Sequence, residues 1–277
     1  MAEPHPPSPA PCGAESSSGQ PVTIVPAERE PIIQFRDVRK AFGSKVVYED
    51  LDLDVYEGEV LTIIGGSGTG KSVLLKLLLG LMQVDGGSIR AFGEEITEMG
   101  PATLLALRRR IAMLFQGGAL FDSMTVEQNL RYPLHEHGWK DRDQVQARVS
   151  EVLEMVGLPG VEKLMPAELS GGMKKRVGLA RAIAVGPEVI LYDEPTTGLD
   201  PINIRRINGM IRGMQRRLGV TSVVVTHDMD SAFTVADRFA MVYERRIGFV
   251  GTREETEHSE IPWVRDFVVG GRGELED

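Results

Sequence analysis

Val60-Leu61-Thr62-Ile63-Ile64-Gly65-Gly66-Ser67-Gly68-Thr69-Gly70-Lys71-Ser72 is a short apolar run that opens into a glycine-rich loop and closes on a Lys-Ser pair. The run has the length and β-branched content of a buried strand, and the apolar residues from Ser72 to Leu81 read as a helix. Between them, Gly65, Gly66, Ser67, Gly68, Thr69, Gly70, Lys71 and Ser72 match the pattern G-x-x-x-x-G-K-S/T without a gap. Glycines there let the backbone wrap a phosphate with successive N–H groups pointing inward, and the helix N-terminus adds its dipole. Lys71 is expected to reach the β- and γ-phosphates, and the Ser72 hydroxyl to bind Mg²⁺. A merely flexible Gly/Ser turn would not need strand, loop, Lys-Ser and helix in that order. The loop implies a nucleoside triphosphate and leaves the kind of machine open.

Working outward, Ile33, Phe35 and Val38 alternate as a half-buried strand would, and Val46-Val47-Tyr48 and Leu51 to Val55 continue that character. Gly86 to Gly93 reads as a further antiparallel hairpin strand. Pro101 to Arg109 is a short helix with proline suited to its first turn, and Ile111 to Phe115 a strand. From Gly117 to about Met173 the pattern turns helical, with Val145, Val149, Val152, Leu153 and Val156 at three- and four-residue steps. Strand character returns at Val189 to Tyr192 and Ser222 to Val225, around a helix near Ile202 to Leu218, and Phe239 to Val250 supplies a last pair. Strands alternating with helices predict an α/β fold with a mostly parallel sheet.

Bulk properties narrow the partners. The 277 residues carry a net charge of −9, whereas nucleic-acid binders usually present a basic face. No apolar run reaches the length that spans a bilayer, and no apolar stretch follows a basic start, so no secretion signal is expected. The single cysteine, Cys12, leaves no internal disulfide or cysteine-rich metal site. The expected compartment is the cytosol. Residues 1–30, rich in proline and serine, are expected to form a disordered leader, because such a composition cannot bury enough surface to offset its ordering entropy. Residues 31–251 are the expected catalytic domain, with a helical part at about 117–178, and residues 252–277 an extension.

The remaining chemistry lies downstream. Val189-Ile190-Leu191-Tyr192-Asp193-Glu194 is an apolar strand ending in two carboxylates. In phosphate-loop ATPases an Asp at this place holds Mg²⁺, and a carboxylate like Glu194 is placed to polarise the attacking water. A solvated acidic pair is the plainer alternative, but strand ends beside a phosphate loop are where α/β ligands bind. Leu169-Ser170-Gly171-Gly172-Met173 resembles the LSGGQ signature of ABC ATPases. Gln116 after the strand Ile111–Phe115 is similar to their Q-loop glutamine, Gly198-Leu199-Asp200 to their D-loop, His227 to their switch histidine, and Phe42 to the aromatic residue that stacks on adenine. Singly each has a bland reading; together they follow family order over roughly residues 32–250.

That resemblance implies a P-loop NTPase with a RecA-like parallel-sheet core, an antiparallel β subdomain and a helical subdomain. It implies a head-to-tail dimer of two copies trapping ATP and Mg²⁺, with Ser170, Gly171 and Gly172 contacting the γ-phosphate of the other copy from a helix N-terminus. Asp200 would connect the two sites, Phe42 hold the base, Gln116 sense Mg²⁺ and water, and His227 hold the γ-phosphate. Glu194, His227, Gln116 and Lys71 are the implied catalytic set, and Ser72, Gln116 and Asp193 the metal set. The stretch Leu114 to Val126, with Asn129-Leu130, Tyr132-Pro133-Leu134, Met173 and Leu199-Asp200-Pro201-Ile202, resembles the ATPase subunits of bacterial Mla-type phospholipid transporters. The implied partners are a membrane permease, an MCE lipid-binding protein and a small cytosolic accessory subunit, at the cytoplasmic face of the inner membrane. An ATPase of another importer-like system, for amino acids or solvent tolerance, is the alternative, and a relative acting on DNA or ribosomes a more distant one.

Smaller features have two readings each. Arg108-Arg109-Arg110 and Lys174-Lys175-Arg176 read as solvated helix faces, or, for the second cluster, as phosphate-stabilising charge across a dimer. His135 and His137 point apart on a helix and lack further ligands for a metal. Trp263 to Phe267 would dock on a partner or cover the chain's own core.

Overall fold

The computed structural model describes residues 30–271; the leader expected over residues 1–29 and the end of the extension, residues 272–277, lie outside the described residues. Two sheets divide the strands. The antiparallel one is built from β1 (Pro31–Phe42), β2 (Lys45–Tyr56), β4 (Gly86–Ala91) and β5 (Glu94–Glu95) in the order β2-β1-β4-β5. The other has six strands: β3 (Val60–Ile64), β6 (Ile111–Leu114), β7 (Val189–Asp193), β8 (Thr221–Val225), β9 (Arg238–Tyr243) and β10 (Arg246–Thr252). Their order is β10-β9-β3-β8-β7-β6, parallel from β9 to β6 with β10 antiparallel at the edge.

Strands β3, β7 and β8 are buried at every position, as expected of parallel strands covered on both faces. Strand β8 lies between β3 and β7 and aligns Ile63 with Val225 and Asp193 with Val225. The phosphate loop and the paired carboxylates therefore leave the sheet on the same edge, at the carboxyl ends of the strands, where α/β sheets bind ligands.

The helix after the phosphate loop, α1, runs from Lys71 to Leu78 rather than to Leu81. Gly80 stops it: at φ +60° it takes the left-handed conformation, Gly80 N–H donates to Leu77 O and Leu81 N–H to Lys76 O, the pattern of a glycine C-cap. Arg108 on α2 (Pro101–Arg110) caps the same end by donating to Leu79 O and Gly80 O. Helical structure in the next region begins at Val126, not Gly117. The residues between are a loop, and Thr125 with Gln128 forms a capping box that starts α3 (Val126–Glu136). Helices α4 (Arg142–Met155) and α5 (Gly171–Ile183) follow. Val145, Val149, Val152 and Leu153 are all buried, packed with Leu130, Leu134 and Val177 of the neighbouring helices.

Helix α6 (Pro201–Leu218) leads into β8, α7 (Met229–Val235) follows it, and α8 (Arg253–Glu257) and α9 (Pro262–Gly271) end the described chain. Val264 and Val268, one helical turn apart on α9, complete a cluster with Met229, Phe233, Phe239 and Phe249, and Trp263 stacks on Tyr243 with ring centroids 4.3 Å apart. The tail covers the chain's own core.

Candidate functional site

The turn from β3 into α1 builds the centre of the site. Gly70 precedes the helix at φ +99°, and a Cβ there would meet Val47 Cγ1 at 2.3 Å, so only glycine lets β2 pack this closely on the loop. Thr69 Oγ1 donates to Gly66 O at 2.9 Å. Lys71 Nζ is buried and donates to Gly65 O at 2.8 Å and Gly66 O at 2.9 Å, holding the loop closed on itself. Burial pulls its pKa down, and the nearby Glu194 and Asp193 charges push it back up.

The cavity in front of this loop has a volume of about 840 Å³, in the range of sites for sizeable small molecules. Its walls bring together Phe42, Gly65 to Gly68, Gly70 to Ser72, Gln116, Glu194 and His227, residues from β1, the phosphate loop, the start of α1 and the loops after β6, β7 and β8. Phe42 ends β1 beside Lys45 and Val47 at this rim and is about half exposed, as a platform for a planar base has to be.

At the carboxylate side, Ser72 Oγ donates to Asp193 Oδ1 at 2.6 Å, and Asp193 is buried at the end of β7. Next to it Glu194 has φ +48°, a left-handed backbone that costs a non-glycine residue about 1–2 kcal/mol. Such strain persists where the surroundings over-determine it. Here they do: Glu194 N–H donates to Val225 O, Thr197 Oγ1 donates to Glu194 Oε2 at 3.1 Å, and His227 Nδ1 lies 2.9 Å from the same oxygen. The carboxylate is largely buried while the imidazole is mostly exposed, facing the cavity.

Ser170, Gly171, Gly172 and Asp200 do not join this cavity. Ser170 caps α5, its hydroxyl accepting from Met173 N–H, and Asp200 caps α6, accepting from Ile202 and Asn203 N–H. Its pKa is lowered chiefly by the Asn203 side chain, which donates to Asp200 Oδ2 at 2.5 Å. A Cβ on Gly172 would meet Asn203 Oδ1 at 2.7 Å, so Gly172 lets the start of α5 pack on the start of α6. Ser170, Gly171 and Asp200 are exposed on this shared corner.

Sequence reasoning misjudged the cluster after the signature. Lys175 and Arg176 are neither solvated nor aimed at phosphate: Lys175 donates to carbonyls of Glu194, Pro195 and Thr197, and Arg176 to Val156 O and Gly157 O. It reads Trp263 to Phe267 only as a docking or core-covering tail, whereas Asp266, Phe267, Gly270 and Gly271 of α9 line the cavity; the i, i+4 pair Val264 and Val268 was the available signal for the helix. His135 and His137 each hydrogen-bond a main-chain oxygen, of Trp139 and Pro133.

The donor set at the strand ends fits Mg²⁺. The Ser72 hydroxyl and the Asp193 carboxylate already share a hydrogen bond, and the Gln116 amide lines the same cavity as Ser72, all hard oxygen donors of the kind that bind Mg²⁺ with substrate phosphates.

The family model for ABC transporters matches residues 48–197. Over 240 residues the chain is 42% identical to "Probable ribonucleotide transport ATP-binding protein mkl" of Mycobacterium leprae, covering 87% of this chain and 69% of that one. Over 239 residues it is 40% identical to "Intermembrane phospholipid transport system ATP-binding protein MlaF" of Escherichia coli K12, covering 86% of this chain and 89% of that one. Among solved structures, the dimeric ATP-binding cassette MJ0796, in a post-hydrolysis state bound to ADP and Pi, superposes with a TM-score of 0.74 at 28% identity, over 80% of this chain and 98% of that one.

Proposed function

From the premise that the chain belongs to the ABC transporter family, as an ATP-hydrolysing subunit of a transporter, we propose that it powers movement of phospholipid between two membranes. The observation that carries the proposal is the 40% identity to MlaF over nearly the full length of both chains. The resemblance of Leu114 to Val126, Tyr132-Pro133-Leu134 and Met173 to that group supports it.

In this reading Phe42 stacks on adenine, and the N–H groups of Gly65 to Ser72 with Lys71 take the phosphates. Lys71 then exchanges the loop carbonyls for phosphate oxygens, a charged partner for neutral ones. Ser72, Asp193 and Gln116 would hold Mg²⁺, which when bound neutralises phosphate charge. Glu194 takes the proton of the attacking water, and His227, held by Glu194, donates to the γ-phosphate. Phosphoryl transfer asks for positioning and charge stabilisation more than covalent chemistry, and the fixed Glu194–His227 pair supplies it. A second copy contributes Ser170, Gly171, Gly172 and Asp200. The loop after Gln116 and the helix α3 that follows it, whose exposed Phe121 and Tyr132 rings are in edge contact at 5.2 Å, face the permease at the cytoplasmic side of the inner membrane. An MCE lipid-binding protein and a small cytosolic subunit complete the assembly.

The 42% identity to the mkl protein, described as a ribonucleotide transport component, favours a second cargo class. Cargo does not touch this subunit, so recovery of the complex decides. Affinity purification from native membranes in detergent, with mass spectrometry of proteins and bound small molecules, should return a permease, an MCE protein and phospholipid. A different permease carrying nucleotides would overturn the lipid proposal and leave the ATPase intact; ribosomes or DNA with no permease would contradict transport altogether.

A further inference from the structure

Lys175 sits on the second turn of α5, five residues after Ser170, and is buried to 6% exposure. Among the described residues its ammonium has no carboxylate in ion-pair contact. It donates instead to Thr197 O at 2.6 Å, Pro195 O at 2.9 Å and Glu194 O at 3.4 Å, so its three N–H donors meet three carbonyls. Those carbonyls belong to one turn, which begins at the left-handed Glu194 and closes by Thr197 N–H donating to Glu194 O. Thr197, gripped through its carbonyl, also donates its hydroxyl to the Glu194 carboxylate. Burying an ammonium among neutral carbonyls is costly where an aliphatic side chain would pack. Burial lowers the Lys175 pKa, against the pull of the Glu194 charge.

We propose that Lys175 is a positioning residue for ATP hydrolysis, clamping the Glu194–Thr197 turn so that the Glu194 carboxylate keeps its aim at His227 and the cavity. The clamp ties the catalytic carboxylate to the helix whose first residues, Ser170 to Gly172, are offered to the second copy. A shift of α5 on docking is thereby transmitted to Glu194 through three hydrogen bonds, with no contact between Lys175 and nucleotide. The inference rests on Glu194 being the carboxylate that serves hydrolysis.

The test uses the full-length chain recovered with its membrane partner, carrying K175M, K175Q or E194Q. Methionine keeps length and removes every donor; glutamine keeps an amide that can serve part of the turn. K175M is expected to lower kcat at least tenfold, with KM for ATP and affinity for a non-hydrolysable analogue within twofold of the parent and the Tm within a few degrees. K175Q should fall between K175M and the parent. A kcat within twofold of the parent in K175M, or a loss matched by collapse of nucleotide affinity or folding in both variants, overturns the clamp. If K175M does not fold, K175Q carries the same comparison: a lowered kcat at unchanged affinity supports the clamp, a parental kcat overturns it. E194Q separates the two levels. Parental hydrolysis in E194Q removes the Glu194 reading and the clamp together, whereas an inactive E194Q beside a fully active K175M removes the clamp alone.

Discussion

Glu194 carries the sharpest expectation at the scale of single residues. Its carboxylate oxygen already holds His227 Nδ1 at 2.9 Å and Thr197 Oγ1 at 3.1 Å, so Glu194→Gln keeps the shape of the site and removes the base. Loss of a positioned general base typically costs about 10²–10⁴ in rate. Steady-state hydrolysis should fall by that order while ATP affinity stays near the parent value; an undiminished rate would refute the assignment. Arg110 makes a different, testable contact. Its guanidinium lies 3.5 Å from the Phe92 ring centroid and donates to both carboxylate oxygens of Glu188, at 2.5 and 2.8 Å. The fork holds the Glu188 carboxyl below its ordinary range, the hydrogen bond being the main cause. A depressed carboxylate stabilises the fold above its unfolded pKa, about 4.3, and the contribution disappears as pH falls through the folded value. Both groups are largely exposed, so solvent screening limits the pair to about 1 kcal/mol or less. The urea midpoints of parent and Glu188→Gln should therefore differ at pH 7 and converge once the pH has fallen below the folded value.

At the scale of elements, α9 joins stability to the site. Val264 and Val268 are buried in the cluster of Met229, Phe233 and Phe239, while Phe267 and Asp266 wall the cavity. Removing residues from 259 onward deletes both valines, each contributing about 1.5 kcal/mol or more when buried, and uncovers Met229, Phe233 and Phe249 of the same cluster. The Tm should fall by roughly 5–10 °C, and nucleotide affinity with it; an unchanged melting curve would show that α9 packs too weakly to matter. The legibility of the elements follows the same division. Strands β3, β7 and β8 were readable because a parallel strand buried on both faces is a near-continuous apolar run, and the phosphate loop because its pattern fixes two glycines and a Lys-Ser pair at set spacing. Helix ends were not readable where tertiary contacts set them: Gly80 ends α1 against Leu104 and Arg108, residues remote in sequence. Lys175 was misread for a related reason. A lysine beside other basic residues looks solvated, and only the fold shows that the turn after Glu194 has come round to meet it.

At the scale of the whole molecule, the proposed signature residues and the cavity lie apart within one chain. The cavity gathers Phe42, the phosphate loop, Glu194 and His227, while Ser170, Gly171 and Asp200 stand exposed where α5 meets α6. The close packing of Gly172 on Asn203 holds the start of α5 against the start of α6, and neither lines the cavity. Dimeric cassettes of this fold are known among the structures it resembles, and a two-fold arrangement lets each copy complete the other's site. Complementation tests this directly. Lys71→Ala removes the phosphate contact from a chain's own cavity and leaves its signature; Ser170→Arg fills the exposed signature and leaves the cavity. Each variant alone should be inactive, since every site in either homodimer lacks one half. Mixed in equal amounts, half of the dimers pair one of each, and each such dimer holds one intact site made from the Lys71→Ala signature and the Ser170→Arg cavity. ATPase activity should then return to at most about a quarter of the parent rate, as expected for two-fold closure with one working site in half of the dimers. No recovery, in a mixture shown by cross-linking to contain heterodimers, would mean that both sites must be intact for either to turn over. Activity in Ser170→Arg alone would mean that the signature does not serve the neighbouring copy.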